Sequence, residues 1–201
     1  MWCYLCRHGE THYNRKPRTQ GQFDSRLTET GQRQAEQLAD FLAKQDFAAI
    51  YSSTLLRSYR TARIVAERHG MRPTAISDLK EADRGLGTGM HYDDIDAELE
   101  EKGISRPAWE DRHGEDYHDL AARVVPAIDD LIDRHDRDIC IVAHGGVNRV
   151  YLAHIQGVSP RKAYYIDQDN CCVNIIDDQR NIEASNLTEH LEPVRPQLNE
   201  G

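Results

Sequence analysis

Trp2-Cys3-Tyr4-Leu5-Cys6-Arg7-His8-Gly9-Glu10-Thr11 is an apolar run that breaks abruptly into Arg, His and Gly. Residues 2–6 have the length and aromatic content of a buried strand. Arg7-His8-Gly9 then sets a cation, an imidazole and a residue without a side chain at its carboxyl end. Ligands of open α/β sheets bind beyond the carboxyl ends of the strands, so this junction is a candidate site. The arrangement recurs twice. Ala48-Ala49-Ile50-Tyr51 runs into Ser52-Ser53 with Arg57 one turn on, and Asp138-Ile139-Cys140-Ile141-Val142-Ala143 runs into His144-Gly145-Gly146.

Helical patterns separate these strands. A polar loop from Glu10 to Thr28 leads into a helix carrying Ala35, Leu38, Ala39 and Leu42 at three-to-four spacing. A second helix is expected from about Leu55 to Arg68, with Gly70 as its stop. Pro73 to Leu79 reads as a third strand, delivering Glu81 to the same edge. Lys80 to Glu115 is the least regular stretch, with Gly85, Gly87, Gly89 and an amphipathic piece near Ile95–Leu99. It reads as an insertion arching over a site. Tyr117 to His135 is a long helix with Pro126 as an expected kink, and a helix is expected over Val147–Ile155. Strands near Cys171–Ile176 and Ile182–Asn186 end the series. This alternation predicts one layered α/β domain over residues 1–201, with an insertion at about 82–116.

Composition narrows the function. The chain has 201 residues and a formal charge of −9, which argues against nucleic acid or an anionic membrane as partner. No apolar stretch is long enough to span a bilayer. The N-terminus enters Arg7-His8 without a basic region or cleavage site, so a cytoplasmic location is expected. Cys3, Cys6, Cys140, Cys171 and Cys172 all fall in strand-like runs and are expected to be buried, reduced thiols rather than a redox or zinc set. His8-Gly9-Glu10-Thr11-His12 superficially resembles a zinc-protease helix, but Gly9 takes the place where that motif has its Glu. No metal and no cofactor are expected.

Two His, two Arg and one carboxylate thus converge on one sheet edge, a set suited to phosphoryl transfer through a covalent intermediate. Neutral imidazole is a competent nucleophile and leaving group. Arg forks match phosphate oxygens, glycine lets backbone N–H groups approach, and one carboxyl can serve as acid and then base.

Arg7-His8-Gly9-Glu10-Thr11 with Asn14, Gln20-Gly21-Gln22-Phe23-Asp24-Ser25, Arg57 with Thr61-Ala62, Glu81 with Gly85 and Gly89, and His144-Gly145-Gly146 resemble, in order, the segments of the histidine phosphatase (phosphoglycerate-mutase-like) superfamily. The likeness covers roughly residues 2–190. It implies a three-layer α/β/α sandwich with a mostly parallel sheet, and a small-molecule phosphate ester as substrate. His8 would become phosphohistidine, Arg7, Arg57 and His144 would bind the phosphoryl group, and Glu81 would be acid and base. Asn14, Gln20, Gly21 and the Gly145 backbone would contact phosphate or substrate. The phosphatase branch is the nearer match; a phosphoglycerate-mutase-type isomerase and a non-catalytic scaffold are the alternatives, and assembly as monomer or homodimer is open. Four positions depart from the family pattern: Gly87-Thr88 where Trp-Glu is common, Arg26 for Pro, and Arg60 for Gln. Gly87, Thr88 and Arg26 are expected near the pocket mouth. Arg149 is read as a helix salt-bridge residue. His91, His113 and His118 read as loop histidines that either line the pocket or face solvent, and Trp109 and Tyr92 as packing of the insertion.

Overall fold

A computed structural model describes residues 1–191, without the side chains of Asp111 and Arg112. Strands β1 (Trp2–Arg7), β2 (Ala49–Ser53), β3 (Thr74–Ile76), β4 (Ile139–Ala143), β5 (Val173–Asp177) and β6 (Ile182–Leu187) form one sheet in the order β3-β2-β4-β1-β5-β6. The pairs β2–β3, β2–β4 and β1–β4 are parallel, while β5 joins β1 and β6 antiparallel.

Side chains that alternate along the strands build a core on each face. Cys3, Leu5, Ile139, Ile141 and Ala143 pack under helices α6 (Tyr117–Asp133) and α7 (Gly145–Ile155). Tyr4, Cys6, Ile50, Cys140 and Val142 pack under α2 (Glu29–Leu42) and α3 (Leu56–Arg68). The expected three-layer α/β/α sandwich with a mostly parallel sheet is therefore the architecture observed. Spacing by three sends Cys3 and Cys6 to opposite faces, so they cannot pair with each other.

Three boundaries differ from the sequence reading. The third strand stops at Ile76, followed by a 3-10 turn at Ser77–Leu79, so Glu81 sits on a loop. The expected polar loop contains a one-turn helix, α1 (His12–Arg15), where Thr11 and Asn14 cap each other reciprocally. The insertion is more regular than expected, with α4 (Tyr92–Lys102) and α5 (Arg106–His113) in it. Helix α6 continues through Pro126 to Asp133. Among the described residues no helix is long and apolar enough to cross a membrane.

All five cysteines are buried and free, and burial pushes the Cys3 and Cys171 thiols up, which makes them poor nucleophiles. Titration with a thiol reagent should therefore modify essentially none in the native protein and all five after unfolding in guanidinium. Rapid reaction of a cysteine pair in the native protein would contradict this core.

Candidate active site

Strand register makes the site. β1 and β4 pair Arg7 with Ala143, so the next residue on each strand, His8 and His144, emerges beside the other. The His8 amide closes the ladder on Ala143 O at 3.1 Å, and the two imidazole rings meet edge to face at 5.2 Å. Helix α3 is fastened to the same edge through Ser58, whose hydroxyl donates to Val142 O at 2.6 Å and accepts from Ser53 N at 3.2 Å. That anchor brings Arg57, one residue earlier, against His8.

The tautomer of His8 follows from its neighbours. Nδ1 lies 2.7 Å from Gly9 O, and a carbonyl can only accept, so the proton sits on Nδ1. Nε2 then carries the lone pair, toward which Arg57 Nε donates at 3.3 Å. Burial, then the charges of Arg57 and Arg7, hold the His8 pKa well below the usual imidazole range despite the opposing Gly9 hydrogen bond. His8 is therefore a neutral base at neutral pH. Its own backbone is pinned by Asn170 Nδ2 donating to His8 O at 3.0 Å, and the Gly9 amide is held by Thr61 Oγ1 at 3.2 Å.

Arg57 is almost wholly buried, and its guanidinium is held by backbone. Nη1 donates to Phe23 O at 2.9 Å and Nη2 to Gly21 O at 2.7 Å, with Asp24 at 3.6 Å. Burial lowers its pKa to about 10, against the pull of Glu81 and Asp24, which leaves it charged at neutral pH. Arg7 Nη1 donates to Gln168 O at 2.5 Å, and its Nε is buried without a partner. Both ring nitrogens of His144 are also buried and unpartnered. Burial, then Arg57 and His8, keep that imidazole neutral, so it offers one N–H to a phosphoryl oxygen.

Glu81 is clamped by two amides, Ala82 N to Oε1 at 2.9 Å and Gly146 N to Oε2 at 3.0 Å. Burial raises its pKa, but Arg84, the two amide bonds and Arg57 together outweigh it and leave the carboxyl below the ordinary range. Gly146 permits this approach: a Cβ there would sit 2.2 Å from Glu81 Oε1. It also explains why α7 starts at Gly145 rather than Val147. Two glycines are poor helix formers, but Glu81 satisfies an open amide of the first turn and its charge opposes the helix dipole.

Arg7, His8, Asn14, Gln20, Gly21, Arg57, Glu81 and Gly145, eight of the nine expected site residues, line one cavity of about 490 Å³. His144, whose ring meets that of His8, is not among the lining residues. The Thr11 hydroxyl is 3.0 Å from both Asn14 Oδ1 and Gln20 Oε1, which turns the two amide side chains into one shelf. Buried His8 and exposed His12 stand on separate elements, strand end and α1, unlike a zinc-binding helix pair.

Residues 3–187 match the model of the histidine phosphatase superfamily (branch 1). The chain belongs to that superfamily. It is 35% identical to glucosyl-3-phosphoglycerate phosphatase of Mycobacterium tuberculosis over 155 residues, covering 71% of this chain and 70% of that protein. It is 32% identical to the "Probable phosphoglycerate mutase GpmB" of Klebsiella pneumoniae over 185 residues, 88% and 85% of the two chains. The native structure of the mycobacterial glucosyl-3-phosphoglycerate phosphatase superposes with a TM-score of 0.81 at 28% identity, covering 93% of this chain and 99% of that one.

In this histidine phosphatase the departure at Gly87 sits beside the pocket, where the hydroxyl of the wall residue Thr19 donates to Gly87 O. Gly87, Thr88 and Arg26 are not among the cavity residues. A Cβ at Gly87 would lie 2.8 Å from Trp109 Cη2, so the indole of Trp109 from α5 fills the space there, anchored by Nε1 donating to Glu98 Oε2 at 2.8 Å. His113 packs on that indole, His91 caps α4, and His118 is exposed. Tyr92 does line the cavity, as does Arg149. The salt bridge expected of Arg149 is absent among the described residues; its Nε donates to Ile166 O at 2.7 Å instead.

Sequence reading missed Gln168. This buried amide accepts from Asn148 Nδ2 and Asn174 Nδ2 and donates to Asn174 Oδ1, each at 2.9 Å, while its carbonyl holds Arg7. Its only sequence signal is a polar run, Asp167-Gln168-Asp169-Asn170, before an apolar strand. Gln168→Ala should lower unfolding free energy by about 1–3 kcal/mol, because Asn148 and Asn174 lose buried partners. Urea denaturation with an unchanged m-value checks this, and a loss below about 0.5 kcal/mol would contradict the network.

Proposed function

We propose that this chain is a metal-independent phosphatase that hydrolyses a small phosphomonoester through a phosphohistidine at His8. The observation that carries the reading is a neutral imidazole whose Nε2 lone pair faces a cavity and is flanked by Arg57 and Arg7. Nε2 attacks phosphorus, the P–O ester bond breaks, and Glu81 gives its proton to the departing alkoxide. Water then attacks the phosphohistidine, Glu81 takes a proton from it, and the P–N bond breaks to return neutral His8. Arg7, Arg57, His144 and the Gly145 amide at the start of α7 meet the charge on the transferring group. Asn14, Gln20 and Gly21 hold the substrate side. Residues 82–116 cover the cavity as a lid on a single domain, an arrangement supported by Arg84, Tyr92, Arg106 and Glu110 on its wall. The GpmB-named relative keeps an isomerase reading in view; phosphoglycerate that yields inorganic phosphate favours hydrolysis, and isomerised product favours the mutase.

The proton inventory sets the pH dependence. His8, its pKa held well below the ordinary imidazole value by burial, Arg57 and Arg7, stays a free base as pH falls from neutrality into mildly acid solution. Glu81, also depressed, is ionised over the same range, so its acid form grows as pH falls. Alkyl leaving groups need that proton and activated aryl groups do not. The ratio of alkyl to aryl kcat/KM should therefore rise toward low pH, and become flat in Glu81→Gln. Turnover should survive excess chelator. Activity lost to chelator and restored by added metal, or a flat ratio in the wild-type protein, would defeat this mechanism.

A further inference from the structure

Six arginines line the cavity, Arg7, Arg18, Arg57, Arg84, Arg106 and Arg149, against three carboxylates, Glu81, Glu110 and Asp167. This local positive excess stands out in a chain of net charge −9. Arg7 and Arg57 flank His8. Arg84 is ion-paired with Glu110, and Arg106 with Asp96 while stacking over Tyr92. Among the described residues, Arg18 and Arg149 have no carboxylate partner. Arg18 is tethered by Nη1 donating to Gly89 O at 2.6 Å. Arg149 is tethered by Nε alone, which leaves both amino groups of its fork without a protein acceptor among the described residues.

Arg149 is also adjacent to the phosphoryl site. A Cβ on Gly145 would sit 3.5 Å from Arg7 Nε and 3.6 Å from Arg149 Nη1, so the two guanidinium groups flank one residue. Their repulsion registers on Arg7, whose pKa is lowered by burial first and by Arg149 second. Two like charges at a partly dehydrated wall are unfavourable until an anion lies between or beside them. The phosphoryl group already has Arg7 and Arg57. The cavity is also within the range that holds a whole small ligand, larger than a phosphoryl group alone requires.

We propose that the substrate's non-transferred part carries a second anionic group, a carboxylate or a second phosphate, and that the free fork of Arg149 binds it. Arg149 is then a specificity-determining residue. The proposal rests on the phosphatase reading and narrows its substrate class.

The test compares matched pairs that differ by one anionic group: 3-phosphoglycerate against glycerol 3-phosphate, and glucose 1,6-bisphosphate against glucose 6-phosphate. Catalytic efficiencies are measured for the wild-type protein, Arg149→Met and Arg149→Lys. The wild-type protein should prefer the more anionic member of at least one pair by about tenfold or more. Arg149→Met should lose most of that preference, and Arg149→Lys should recover part of it. The pair that shows the effect tells carboxylate from phosphate. No preference in the wild-type protein, or one retained in Arg149→Met, overturns the proposal. If no ester is turned over at all, the phosphatase reading fails separately. The same four compounds are then ranked by calorimetric affinity, where the same preference and the same loss are expected. Arg149→Gln serves as the neutral variant should Arg149→Met not fold.

Discussion

The parallel register of β1 on β4 is the constraint on which the site depends. Pairing Arg7 with Ala143 places His8 and His144 as the first residues beyond adjacent strand ends, and no loop has to find that geometry. A slip of one residue would turn His8 to the other face and separate the rings. Register is secured by the alternation of Cys3 and Leu5 against Tyr4 and Cys6, which bury in different cores on the two faces. The hydrophobic layers that stabilise the sandwich therefore also fix the reacting atoms. The Ser58 link from α3 to Val142 O extends the same logic to Arg57.

Electrostatic preorganisation follows from this frame. Buried cations are costly unless their donors are met, and here backbone carbonyls meet them: Gly21 and Phe23 for Arg57, Gln168 for Arg7. Carbonyls lend hydrogen bonds without cancelling charge, so the guanidinium groups remain available to an anion. Their charge in turn depresses His8, and Arg84 together with Arg57 helps keep Glu81 ionised. The free protein therefore holds a nucleophile ready in its basic form, while its acid is loaded only when a proton arrives. A dianionic ester beside Glu81 would favour that protonation, since like charge raises a carboxyl pKa.

Local pattern revealed much of this. Apolar runs ending in Arg-His-Gly and His-Gly-Gly announced both strand termini, and the three-to-four spacing of Ala35, Leu38 and Leu42 announced a helix. What stayed hidden depends on contacts distant in sequence. Helix α5 contains one large apolar residue, Trp109, and so shows no repeat; its burial comes from the hole above Gly87. The helical start at Gly145-Gly146 contradicts propensity and is explained by Glu81, 65 residues away. Gln168 reads as loop polarity until Asn148 and Asn174 converge on it. Arg149 looked like an ordinary helix cation because sequence does not say which cations lack a counter-charge.

The central claim is that His8 attacks through Nε2 because Gly9 O holds the proton on Nδ1. Rapid acid-free quenching during turnover, followed by phosphorus NMR and peptide mapping, locates the phosphoryl group directly. The account predicts an acid-labile phosphoramidate on Nε2 of His8. A phosphoryl group on Nδ1, on another residue, or on no residue during steady turnover would contradict it.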